Sequence, residues 1–294
     1  MLRGGAKVIM TSRDYIYNRA RQDLKYTCFP LLDESQVAIN VHDLTLDEKR
    51  QMLYNHIKLG SQPREFRSAI KPYLEALAAD PRFVPETARR LSDPIFTTKV
   101  CTDRSGLLEF VEKQREFLLD VLTGLDVDSK AGLALIFMRN GVLESPINLS
   151  PSESEALERF GSTLGASTIA LGAMNGSLAK HTISGEVAAW QFKHPTIGDA
   201  FAVLLLRNPE LLGIYLQGAP LRQLLHQVTC GDLGFENAVR VPRSLFPLML
   251  RRLQEVPSEP KDPAGRGGMA LLDSFLARRC GREFLGQYRC PGRR

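Results

Sequence analysis

The 294-residue sequence predicts a mainly α fold with a small β component. Apolar residues recur at helical spacing through most of the chain, a capping box and well-placed prolines mark helix starts, and β-prone residues are confined to short stretches. With 44% hydrophobic and 24% charged residues the composition is that of a folded chain, long enough for two or three small domains with cores of their own. No run of eighteen apolar residues occurs, and Met1-Leu2-Arg3-Gly4-Gly5 lacks the apolar stretch of a signal peptide, so a soluble cytoplasmic protein without membrane contact is expected. The five cysteines, Cys28, Cys101, Cys230, Cys280 and Cys290, lack the paired spacing of zinc sites and read as buried or idle thiols.

Lys7 to Met10 is a short apolar run that stops at Thr11, Ser12 and Arg13, the pattern of a buried strand whose carboxyl end faces a crevice. An arginine fork there suits phosphate oxygens by charge and geometry; the alternative is a solvent-facing Arg13 that balances Asp14. Phe29 to Glu34 contains Pro30 and reads as a loop, and Gln36 to Val41 as a short strand. Thr45 and Glu48 form a capping box that starts a helix to Leu59, with Leu46, Leu53 and Ile57 on one face and Gly60 as a left-handed stop. A second helix carries Phe66, Ile70, Tyr73, Leu74 and Leu77, interrupted at Pro72. Pro85 begins another, and Glu86 suits the positive end of its dipole. One amphipathic helix is expected from Leu107 to Leu125, a more buried one from Ala131 to Met138, a break at Asn140-Gly141, a helix from Ser152 to Phe160 and a hairpin from Gly176 to Phe192. His194 precedes Pro195 at the start of a helix through Leu205, where an imidazole either caps the helix or donates to a phosphate. Short helices around Leu211, Leu224 and Leu248 come next, then a Pro- and Gly-rich linker over 256–269 and a tail from Cys280 that is expected to fray.

Three segments carry a resemblance in their order and spacing: Lys7-Val8-Ile9-Met10-Thr11-Ser12-Arg13-Asp14, Arg82-Phe83-Val84-Pro85, and Trp190 through Phe201. They resemble the STAND-class NTPases, signalling switches related to the NACHT and NB-ARC proteins, and in particular the bacterial novel-STAND branch, over about residues 5 to 250. The resemblance implies a remnant of a P-loop α/β core with the sensor 1 strand over 1–42, a helical lid over 43–104, a winged helix over 105–206, a helical extension over 207–256, and a linker and flexible tail over 257–294. It further implies ATP and ADP as ligands, with Thr11, Ser12 and Arg13 at the phosphates, Pro85 against adenine and His194 latching the ADP state. Self-assembly and an attached effector, in a role such as bacterial antiviral defence, belong to the full-length context.

The sequence also departs from that pattern. No Gly-x-x-x-x-Gly-Lys-Ser/Thr loop occurs, no acidic metal-holding strand precedes the sensor strand, no methionine precedes His194, and the acidic residue comes only at Asp199. The chain thus reads as the carboxyl-terminal part of such a module, an incomplete gene product or a frame beginning at an internal methionine. No ATPase activity of its own is expected, and magnesium would bind only in a complete protein.

Two other functions remain open: a winged-helix DNA binder and a helical scaffold in which every named residue is structural. The net charge of +5 favours the first, but its distribution does not. Residues 1–100 carry 16 basic and 12 acidic side chains, residues 101–200 carry 8 and 13, and residues 201–294 carry 14 and 8. A DNA-reading module needs cations on the reading face, and the candidate winged helix is acidic, so specific DNA binding is not expected.

Overall fold

A computed structural model describes residues 44–185, 187–235, 238–255 and 267–289. The expected sensor strand with Thr11, Ser12 and Arg13, the loop at 29–34, the strand at 36–41 and most of the linker lie outside the described residues. The chain divides into two units, Met1–Glu48 and Lys49–Arg294. Apart from 44–48, the described residues belong to the second.

α1 (Leu46–Leu59) begins at the expected capping box: the Thr45 N–H donates to Glu48 Oε2 at 2.8 Å, and the Glu48 N–H returns to Thr45 Oγ1 at 3.3 Å. Leu53 and Ile57 are buried, whereas Leu46 is exposed at the helix start. Gly60 is not the left-handed stop expected of it. Its N–H donates to the His56 carbonyl at 2.8 Å, and a Cβ there would lie 2.4 Å from the Ser92 carbonyl oxygen, so glycine serves a close backbone approach. Pro72 interrupts the next helix as expected, giving α2 (Arg64–Ile70), a 3-10 turn over Lys71–Tyr73 and α3 (Leu74–Ala78). α4 (Pro85–Leu91) starts at its proline.

The single helix expected over 107–125 is two, α5 (Arg104–Glu112) and α6 (Gln114–Gly124), broken at Lys113 with φ −107° and ψ 39°. The break brings the rings of Phe110 and Phe117 to 5.2 Å. Seven residues of straight helix would separate them by about 10 Å along the axis, so periodicity alone hid the turn.

Next comes the order helix, strand, helix, helix, strand, strand: α7 (Val127–Met138), β1 (Val142–Ser145), α8 (Pro151–Arg159), α9 (Leu164–Ala173), β2 (Ala179–Ser184) and β3 (Val187–Phe192). α7 is apolar on every side because it is central, with everything from Ala131 to Met138 buried. It stops at Asn140 and Gly141, both at positive φ, where the Gly141 N–H caps the Ile136 carbonyl at 2.9 Å. The strands form an antiparallel sheet ordered β1–β3–β2, with Leu143 and His181 both opposite Trp190.

α10 (Pro195–Arg207) leaves β3 and packs on α6 and on α11 (Pro209–Gly218). Phe137 of α7 sits between Phe201 and Tyr215, with ring centroids 5.5 and 5.3 Å away. α12 (Leu221–Gln227) runs into β4 (Val228–Thr229), which pairs in parallel with β5 (Val239–Arg240) ahead of α13 (Phe246–Leu253). Over 280–289, the described part of the tail, the expectation of fraying is corrected. α14 (Gly267–Arg279) and α15 (Arg282–Arg289) bury Leu272, Phe275 and Phe284, and Phe284 meets Phe246 edge-on at 5.0 Å. Few apolar residues suffice because Leu272, Phe275 and Phe284 fall on the inner face.

Candidate functional site

Val84 is extended, φ −128° and ψ 160°, and its N–H donates to Thr87 Oγ1 at 3.2 Å, so the chain enters α4 with Pro85 as its first residue. A proline fits there because a first-turn N–H has no intrahelical acceptor. Pro85 is half-buried. Arg82, which opens the motif, is held away by Asp80 at 2.9 Å and Glu112 at 2.8 Å and is about half exposed.

Glu86, the residue after the proline, is the centre of a charged cluster. Arg89 grips the Glu86 carboxylate with two hydrogen bonds of 2.8 Å, and Arg90 Nε adds a third at 2.9 Å. The spacing i, i+3 and i, i+4 on one helix makes both contacts possible. Burial by itself raises the Glu86 carboxyl, but the hydrogen bond and charge of Arg89 and the charge of Arg90 outweigh it and hold it below its ordinary value. Both guanidinium groups lie near the Phe96 ring, 5.1 Å away for Arg89 and 5.9 Å for Arg90.

Arg90 carries the cluster across the molecule. Its side chain is nearly fully buried, and Nη2 donates to Thr196 Oγ1 at 2.6 Å, on a residue 106 positions away. Nη1 reaches the Gln114 carbonyl of α6 at 3.4 Å, and Arg89 Nη1 reaches the Ser177 carbonyl at 3.5 Å, the outer limit of a hydrogen bond. Thr196 completes the path: its hydroxyl lies 2.8 Å from His194 Nδ1, and its N–H donates to the same nitrogen at 3.3 Å. The second donation makes Nδ1 an acceptor and places the ring proton on Nε2. His194, partly exposed, is thus the amino-terminal cap of α10 and one end of a hydrogen-bonded path His194–Thr196–Arg90–Glu86.

Of the sequence-predicted residues, His194 is one end of this path and Pro85 is the chain neighbour of Glu86 at its other end; Thr11, Ser12 and Arg13 lie outside the described residues. Glu86, Arg90 and Thr196 were missed as connecting residues. The glutamate-to-arginine spacing was visible, but its continuation to Thr196 was not. His56 of α1 also senses the cluster: burial, then the charge of Arg89, lower its pKa, and Glu86 opposes them. Among the described residues no group of three or more His, Cys, Asp or Glu could hold a metal, and no helix is long and apolar enough to cross a membrane. α9, the helix before the hairpin, has no charged side chain between Leu164 and Ala173.

Residues 1–59 match the family novel STAND NTPase 3, so that stretch, which contains Thr11, Ser12, Arg13 and all of α1, is similar to STAND-class NTPases. No curated protein and no solved structure matches the chain.

Proposed function

We propose that this chain supplies the lid and winged helix of a STAND-class nucleotide-dependent signalling switch, in which exchange of ADP for ATP separates the two, promotes assembly and activates an attached effector. One observation carries the reading. His194, the residue proposed to latch the diphosphate, and Glu86, the chain neighbour of the Pro85 proposed to hold adenine, are the two ends of one polar path through Arg90 and Thr196. A ligand touching both ends can then bias how the two parts are held, because only differential affinity shifts such an equilibrium. The helix–strand–helix–helix–strand–strand order with the sheet order β1–β3–β2 supports the winged helix. The uncharged α9 weighs against DNA reading, since phosphate contacts need cations on the inserted helix. ATP turnover by the chain alone is not part of the proposal, because it has no glycine-rich phosphate loop with its lysine.

Saturation-transfer NMR with millimolar ADP tests the reading. Magnetisation passing from protein to the adenine protons, and lost in Pro85→Glu, is the expected result; glutamate is accepted at a first helical position, so the melting temperature stays close to that of the parent. No transfer, or equal transfer in the variant, contradicts it.

A further inference from the structure

Cys230 and Cys280 are fifty positions apart in the sequence and face each other in the fold. They are partners in an isolated parallel bridge that extends beyond β4. The Cys230 N–H donates to the Arg279 carbonyl at 2.8 Å, and the Gly281 N–H donates to the Cys230 carbonyl at 2.8 Å, which fixes the register from both sides. Each cysteine is followed by a glycine, and the two glycines are where the backbones meet: a Cβ on Gly231 would lie 2.9 Å from Gly281 N. Side chains at directly paired positions leave the ladder on the same side, with Cα atoms about 4.8 Å apart, inside the roughly 4.4–6.8 Å span of disulfides. Both thiols are free and buried. The thiol of Cys230 is raised well above its ordinary range, first by its hydrogen bond with Cys280 and then by burial, so the pair is inert while the surrounding structure is closed.

We propose that Cys230 and Cys280 form a dithiol–disulfide pair whose oxidation staples the last two helices to the helical core. The oxidant is a small disulfide of the glutathione type. On local opening of α14 and α15, one cysteine loses its proton, and its thiolate attacks a sulfur of that disulfide, forming a mixed disulfide and expelling one glutathione thiolate, which takes up a proton. The second cysteine, likewise deprotonated, attacks the protein sulfur of the mixed disulfide; the Cys230–Cys280 bond forms and a second glutathione leaves. Two protein thiols are oxidised and one small disulfide is reduced to two thiols. The bridge closes a loop of about fifty residues, for which chain entropy predicts a melting temperature about 5–10 °C higher in the oxidised form.

The test incubates the full chain with oxidised glutathione, blocks remaining thiols by alkylation, and maps disulfides by mass spectrometry without reduction, alongside melting curves before and after reduction. The expected result is a dominant Cys230–Cys280 crosslink with the higher melting temperature, and no difference between oxidised and reduced Cys280→Ala. Alkylated Cys230 and Cys280, glutathione retained on either one, or a crosslink through Cys101 instead overturns the proposal, and the map of the parent chain decides even if the variant fails to fold.

Discussion

Arg139 and Glu153 are one cation against one carboxylate, whereas Glu86 carries Arg89 and Arg90 together. Glu153 is fully buried, and its second oxygen takes Arg139 Nη2 at 2.7 Å together with the Ser150 N–H and hydroxyl, each at 2.8 Å. The contacts join the end of α7 to the start of α8 across fourteen positions, and Arg139 also holds the Asn148 carbonyl at 3.1 Å. The Glu86 cluster is built on a single helix turn but spends its second guanidinium on Thr196 and Gln114, far along the chain. Charge in the first case closes a local structure. In the second it joins separate elements and ends at a candidate ligand residue, with two cations for one carboxylate.

The largest expected effect belongs to the local pair. Glu153→Ala leaves the partly exposed Arg139 without its carboxylate and removes the Glu153 half of the capping box that starts α8, costing about 3 kcal/mol and lowering the melting temperature by roughly 10 °C, with no change in nucleotide preference. Glu86→Gln costs less, about 2 kcal/mol, because the amide oxygen still accepts from Arg89 and Arg90. It should also release the Arg90 path, so a calorimetric melt combined with an ADP titration separates the two variants: a fall in stability alone from Glu86→Gln removes the contrast. The folded-state carboxyls of both Glu86 and Glu153 are held below the ordinary glutamate range by their arginine partners, against the opposing effect of burial. Their contribution is therefore present above the unfolded pKa and lost as the pH falls through the lower folded value. Denaturant melts from about pH 6 to about pH 3 should show stability declining below about pH 4.5, with a shallower decline in each single variant.

A smaller effect comes from Thr196→Val, which keeps the shape but deletes the hydroxyl between Arg90 and His194. The expected loss is about 1–2 kcal/mol. Combined with His194→Ala it should be non-additive by about 0.5–1 kcal/mol, while Glu153→Ala with His194→Ala should add. Additivity in both cycles would show the polar path to be a chain of contacts without coupling.

Much of the local structure was legible because its signals are local. Thr45 with Glu48, Pro72, Asn140-Gly141 and Pro85 each fix a boundary through groups within four residues of one another, and the structure agrees at each. The failures share the opposite property. Gly60 is needed because of Ser92, the break at Lys113 lets Phe110 meet Phe117, and the buried face of α15 depends on Phe246. Cys230 and Cys280 looked scattered because a parallel bridge leaves no mark in spacing. At the candidate site Pro85 and His194 could be named separately, but nothing in either segment revealed that Arg90 and Thr196 join Glu86 to His194. Glycine, proline and capping residues report on their own turn of chain; a buried arginine reports on whatever lies across the interior.

Whether His194 is a diphosphate latch and not only a helix cap is decided by His194→Asn. Asparagine is among the best amino-terminal caps, so the variant retains the helix start while losing the ring that would reach a phosphate. ADP and ATP affinities and the melting temperature are measured for the parent and the variant. For a latch, ADP binding becomes about tenfold weaker, as expected for a lost hydrogen bond to a charged group, with ATP affinity and the melting temperature essentially unchanged. Unchanged affinity for both nucleotides in a fully stable variant would make His194 a cap and nothing more.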